Sequence, residues 1–146
     1  MVGDSTFALG LPFEGERQSM RAAQAISIVD DDDPVRDSMR LLLETLGYSV
    51  REYASPDALL HDPIARDCSC LILDLHMPGM SGLELLEQLR SEGFGAPALL
   101  VTGRRDDSLE QRLSRAAILT TLQKPVAEEV LIEWVTRACA ATAASA

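Results

Sequence analysis

Four short segments, each closing an apolar run, carry the residues best suited to chemistry. Asp30 and Asp31 follow Ile26-Ser27-Ile28-Val29, and Asp74 follows Leu71-Ile72-Leu73. Thr102 follows Leu99-Leu100-Val101, and Lys124 follows the stretch Ile118 to Gln123 and precedes Pro125. If these runs are parallel strands of one sheet, all four sites meet at its carboxyl edge, where open α/β sheets bind ligands. Three carboxylates, a hydroxyl and an ammonium gathered there suit a divalent metal and a phosphoryl group. Asp74 precedes the turn Met77-Pro78-Gly79-Met80, which leaves its carboxylate exposed enough to act as a nucleophile. Carboxylates attack phosphoryl donors poorly because both are anionic, and a bridging metal relieves that repulsion. Mg²⁺ takes hard oxygen ligands and keeps several waters. Asp31 and Asp74 could bind it directly, with the backbone carbonyl of His76, and Asp30 could act through water. A hard cation favours that carbonyl over the His76 ring. Lys124 could neutralise one phosphoryl oxygen as a point charge, and Thr102 could donate a hydroxyl hydrogen bond to another.

The elements that must position these groups are legible as an alternating pattern. Asp33-Pro34 opens a first helix, with Asp33 as N-cap and Pro34 at the first helical position. Val35, Met39, Leu42, Leu43 and Leu46 recur at helical spacing, and Gly47 stops the helix. Tyr48 to Tyr53 reads as a second strand, and Ser55-Pro56 caps a short helix. The third strand, Leu71 to Asp74, is a continuous apolar run, as expected when both sheet faces are covered. Ser81-Gly82-Leu83-Glu84 has the form of a capping box, and its helix ends near Gly93. Pro97 to Thr102 and Ile118 to Leu122 supply the last two strands, with a helix near Asp107 to Arg115 between them. Glu128 to Ala140 forms the last helix, whose Trp134 packs against the sheet. Five βα units in alternation imply an α/β fold: a doubly wound parallel sheet with right-handed crossovers and helices on both faces.

The bulk numbers set limits. A chain of 146 residues suggests one domain, read here as a flexible extension over 1–24, a folded domain over 25–140 and a frayed tail over 141–146. Apolar residues make up 47% and aromatics only 4%, so the core must be mostly Leu, Val, Ile and Ala. A net charge of −10 repels phosphate backbones, which argues against nucleic-acid binding by this domain. Cys68, Cys70 and Cys139 form no disulfide framework, and Cys68-Ser69-Cys70 is too closely spaced for an ordinary zinc pair. No apolar run reaches the length of a membrane span, and the first 25 residues lack a secretory h-region. A cytoplasmic location with no membrane contact is expected.

Taken together, these residues resemble the receiver domain of bacterial two-component response regulators over about Ile26 to Ala140. Four segments carry the resemblance: Val29-Asp30-Asp31, Leu73 through Gly82, Val101-Thr102-Gly103 and Lys124-Pro125. The stretches Val29 to Arg36 and Met77 to Gly82 are nearest to receivers of the FixJ type. The resemblance implies a flavodoxin-like, CheY-like sheet of strand order 2-1-3-4-5. It implies that Asp74 is the phospho-acceptor, served by the phosphohistidine of a sensor histidine kinase. Asp30 and Asp31 become the Mg²⁺-binding acidic pair, and Lys124 and Thr102 the phosphoryl-oxygen ligands. A signal would then pass by protein contacts, to a downstream protein or a second copy of the chain, through the face of helix 4, strand 5 and helix 5. With the sequence ending after the fifth helix, no helix-turn-helix module is expected within it, whether it is a stand-alone regulator or a fragment of a longer one.

The sequence departs from the family on that output face. Thr121 stands where the family carries an aromatic ring, Ala117 replaces a usual Gly, and Arg104 and Arg105 occupy the loop after Thr102. Those arginines are either solvated or reach the phosphoryl group. Two alternatives follow. One is a receiver-like adaptor whose switching does not depend on phosphorylation. The other is an aspartyl-phosphate enzyme of the haloacid dehalogenase class, although His76 stands where those enzymes carry a second Asp.

Overall fold

The computed structural model describes residues 24–145; the expected extension before Gln24 lies almost wholly outside the described residues. The elements run β1 (Ala25–Val29), α1 (Asp33–Thr45), β2 (Ser49–Tyr53), α2 (Pro56–Leu60), β3 (Cys70–Asp74), α3 (Gly82–Ser91) and β4 (Ala98–Thr102). A 3-10 turn (Asp107–Leu109) leads into α4 (Glu110–Arg115), followed by β5 (Ile118–Gln123) and α5 (Glu128–Ser145). The five strands form one sheet of order β2-β1-β3-β4-β5, and every neighbouring pair is parallel. The expected architecture and strand order are therefore both found.

The strand sequences explain the two layers of core. Side chains alternate faces along a strand. On β3, Leu71 and Leu73 join Val29, Leu75, Leu83, Leu86, Leu89 and Leu100 on one face. Cys70 and Ile72 join Ile26, Ile28, Met39, Leu43, Leu99, Val101, Leu131 and Val135 on the other. All five residues of β3 are buried, as a central parallel strand requires. Fully burying each large aliphatic side chain there contributes about 1.5–3 kcal/mol. Trp134 packs at the margin of the second cluster, with the Arg137 guanidinium 4.7 Å above its ring; it serves the packing role expected of it.

Local signals set the helix starts. Ser81 Oγ accepts from the Glu84 N–H at 3.1 Å and Glu84 Oε1 accepts from the Ser81 N–H at 3.0 Å, so the capping box is complete. Ser55 caps α2 through the Ala58 N–H. Two boundaries differ from expectation. The N-cap of α1 is Asp32, whose Oδ1 accepts from Val35 N–H at 3.2 Å, and Asp33 is the first helical residue. The expected frayed tail is instead helical to Ser145, since alanines favour helix and Thr142 Oγ1 donates to the Ser69 carbonyl at 2.8 Å.

Ala117, ahead of β5, takes φ 57°. An alanine there is strained by its Cβ, and glycine is not. Replacing it, Ala117→Gly, should stabilise the domain by about 0.5–1 kcal/mol, read as a rise in Tm of roughly 3 °C by calorimetry.

Candidate functional site

β1 and β3 are adjacent and in register, with Val29 beside Leu73. The residues that follow, Asp30 and Asp74, therefore emerge side by side at the carboxyl edge. Both are buried, 1% and 5% exposed, so Asp74 is far less open than its turn suggests. Asp31 is exposed beside them. Each of Asp30, Asp31 and Asp74 offers a carboxylate oxygen within 4.8 Å of the others.

Lys124 arrives from the opposite side. β5 pairs with β4 so that Gln123 lies beside Thr102, and the Lys124 N–H donates to the Thr102 carbonyl at 2.8 Å. Its Nζ lies 3.1 Å from Asp30 Oδ2 and 3.4 Å from Asp74 Oδ1. The bond from Lys124 to Pro125 is cis. One ammonium thus faces two buried carboxylates. Burial, and next the charge of Asp30, pushes the Asp74 carboxyl up to about 6, with Lys124 opposing the rise. Burial lowers the Lys124 pKa, but its contacts with Asp30 and Asp74 outweigh that and raise it.

These groups fit a divalent cation by charge and by donor type. Three carboxylates against one ammonium leave two negative charges at the cluster. Asp30 Oδ2, buried, faces the Lys124 ammonium but accepts no well-directed hydrogen bond. All the donors are hard oxygens, as Mg²⁺ prefers.

The remaining expected residues are placed as follows. The His76 N–H points back to Asp74 Oδ1 at 3.4 Å. Its ring is exposed. Thr102 lies at the end of β4, but its Oγ1 is closed into its own loop: it accepts from Arg104 N–H at 3.1 Å and donates to the Arg104 carbonyl at 2.6 Å. Arg104 and Arg105 are both exposed, and Arg105 pairs with Asp107 at 2.8 Å. Thr121 is exposed on β5.

Two residues hold the site without having been singled out from the sequence. Gly82 opens α3 directly against β3, where an added Cβ would fall 2.2 Å from the Asp74 carbonyl oxygen. Arg36, in the first turns of α1, donates from Nη1 to the Asp30 carbonyl at 2.6 Å. Both fall inside the stretches most informative in the sequence, Met77 to Gly82 and Val29 to Arg36. Residue type alone gave neither a task.

Residues 26–136 match the family model of the response regulator receiver domain. The chain belongs to that family. Among curated relatives, the transcriptional regulatory protein FixJ of Azorhizobium caulinodans is 35% identical over 107 residues, covering 73% of this chain and 51% of the relative. The response regulator protein TodT of Pseudomonas putida is 34% identical over 118 residues, covering 81% and 52%. The chain spans about half the length of these relatives. The receiver domain is also similar to the solved structure of FixJ-N (34% identity, TM-score 0.69, covering 80% of this chain and 93% of that one). A CheY-like receiver domain from Methanospirillum hungatei JF-1 gives 25% identity and TM-score 0.75, covering 84% and 98%. No helix of the described residues is long and apolar enough to cross a membrane.

The electrostatics of the receiver's acidic edge set a stability test. The folded Asp74 pKa is raised, so between about pH 4 and 6 the native state binds more protons than the unfolded chain. Metal-free protein should therefore gain the stability linked to Asp74 as pH falls through 6 toward 4, and Asp74→Asn should capture that gain at pH 7, by about 1–3 kcal/mol. Urea unfolding in EDTA measures both, and added Mg²⁺ should shrink the difference. Gly82→Ala should cost about 1–3 kcal/mol by overpacking against the Asp74 carbonyl, measured the same way.

Proposed function

We propose that this receiver accepts a phosphoryl group on Asp74 from the phosphohistidine of a sensor histidine kinase. The observation that carries the reading is the convergence of Asp30, Asp74 and Lys124, with Nζ 3.1 and 3.4 Å from the two carboxylates. In the reaction an Asp74 carboxylate oxygen bonds to phosphorus as the N–P bond of phosphohistidine breaks. The bonding pair leaves with the imidazole, which takes up a proton. Asp31, Asp74 and the His76 carbonyl would hold Mg²⁺, with Asp30 acting through water. When bound, the ion supplies charge neutralisation between acceptor and donor oxygens. Lys124 contributes a fixed positive charge, free to turn from Asp74 to a phosphoryl oxygen as the carboxylate is esterified. Thr102 joins by exchanging its bonds to Arg104 for one to a phosphoryl oxygen.

Output in this reading is protein binding in the cytoplasm, through the face of α4, β5 and α5, to a downstream protein or a second copy. Leu119 and Val130 stand exposed there, at 40% and 39%. A net charge of −10 speaks against direct nucleic-acid contact by this domain. A second reading, an adaptor that binds without phosphorylation, is favoured by the closed Thr102 loop and by Thr121, too small to follow any movement of Thr102 as a ring could.

Incubation with Mg²⁺ and acetyl phosphate should add one phosphoryl group, labile to base and hydroxylamine, seen by intact mass. The addition should vanish in Asp74→Asn and with EDTA, and slow by about 10²-fold in Lys124→Ala, the scale of losing one preorganised charge contact. Persistence of the adduct in Asp74→Asn overturns the assignment. Phosphorylation that leaves partner affinity and self-association unchanged favours the adaptor.

A further inference from the structure

We propose that Arg36 is a positioning residue for the acidic site: it fixes the peptide between Asp30 and Asp31 and so holds two carboxylates in metal-binding geometry. The inference rests on the Mg²⁺ site proposed above and adds a residue to it.

The Asp30 backbone is pinned on both sides. Its N–H donates to the Tyr53 carbonyl of β2 at 3.1 Å. Its carbonyl accepts from Arg36 Nη1 at 2.6 Å. The carbonyl belongs to the peptide that joins the buried Asp30 to the exposed Asp31. Turning that peptide swings Asp31, and it also disturbs the Asp32 N–H, which donates to Asp30 Oδ1 at 2.9 Å. Asp31 has no burial to fix it, so its placement depends on its neighbours' backbone: Asp32 on one side, bonded to Asp30 Oδ1 and to α1, and the held Asp30 carbonyl on the other.

Arg36 is itself locked. Its side chain is only 13% exposed. Nη2 donates to Asp33 Oδ1 at 2.6 Å, and Nε lies 3.5 Å from Glu52 Oε1 on β2. Arg40 lies 2.9 Å from Glu52 Oε2 and holds that carboxylate from the next turn of α1. Two arms of one planar guanidinium are therefore hydrogen-bonded to the Asp30 carbonyl and to α1, while Nε faces the Glu52 charge on β2 without a directed hydrogen bond. A lysine ammonium has no such fork.

Two effects of removing Arg36 have opposite signs. Losing a cation near the site would tighten Mg²⁺ by electrostatics. Losing the clamp would weaken it by freeing Asp31. The electrostatic effect is screened by solvent at the exposed Asp31 and Asp33, whereas the clamp acts directly on the peptide that carries the ligands, so the geometric effect dominates. Outer partners of metal ligands are typically worth about 10–100-fold in affinity.

The test is calorimetric titration of Mg²⁺ into wild type, Arg36→Gln, Arg36→Lys and Asp33→Ala, each checked for folding by circular dichroism. Arg36→Gln should weaken Mg²⁺ about tenfold, and Arg36→Lys should fall between it and wild type. Asp33→Ala disturbs the ion pair but leaves the Asp30 carbonyl bond, and should stay within about twofold. In phosphorylation by acetyl phosphate, the Mg²⁺ concentration for half-maximal rate should rise in Arg36→Gln while the rate at saturating Mg²⁺ is retained. Amide exchange at Asp31 and Asp32 should quicken in the metal-free variant. If Arg36→Gln fails to fold, Arg36→Lys against Asp33→Ala decides. Unchanged or tighter Mg²⁺ binding in the Arg36 variants overturns the positioning role alone. Absence of Mg²⁺ binding by wild type overturns both this role and the metal site it rests on.

Discussion

Two carboxylates buried side by side, answered by a single ammonium, are the constraint around which the receiver is arranged. At a protein-like effective dielectric near 20, unit charges about 4 Å apart interact by about 4 kcal/mol. Lys124 is placed to offset that repulsion, reaching Asp30 at 3.1 Å and Asp74 at 3.4 Å, and it can do so only because β5 delivers it across β4. Burial first, and the Asp30 charge second, still raise the Asp74 pKa against the opposing pull of Lys124. An acidic edge left under-neutralised is poised to gain from a cation, and a bound cation would in turn offset the edge's repulsion of an anionic phosphoryl group.

The sheet is the means of holding that tension. Adjacent parallel strands β1, β3 and β4 end at a common edge, and their interiors are almost wholly apolar. The burial of Ile26, Ile28, Leu71, Ile72, Leu73, Leu99 and Leu100 supplies the stability that the charged rim consumes. Gly82 lets α3 begin against the Asp74 backbone without a Cβ in the way. Cohesion and chemistry are thus divided between the middle of each strand and the residue just beyond it.

Much of this was legible because the signals are local. The apolar run of β3 and the Ser81–Glu84 capping box each depend on residues a few positions apart, and they appear where the pattern places them. The Asp30 to Asp33 run was harder. All four side chains can cap a helix; Asp32 does so because Asp30 turns inward to Lys124 and Asp33 is taken by Arg36. The end of α5 depended on Thr142 reaching Ser69, 73 residues away, and the task of Arg36 on a carbonyl, which no side-chain pattern announces. The closed loop of Thr102 is likewise a backbone matter, hydroxyl against the Arg104 peptide.

The long α5 has a further consequence. It runs against the strands, so its last turns lie at the pole opposite the acidic rim, where Thr142 grips Ser69 and the Gln24 side chain donates to the Cys139 carbonyl at 2.9 Å. The start of β1 and the finish of α5 are stitched together there. Where the chain enters β1, and where α5 finishes, it is therefore a strand length from the chemistry, and a change at the rim is felt at that pole through the body of the sheet or along the outer helices.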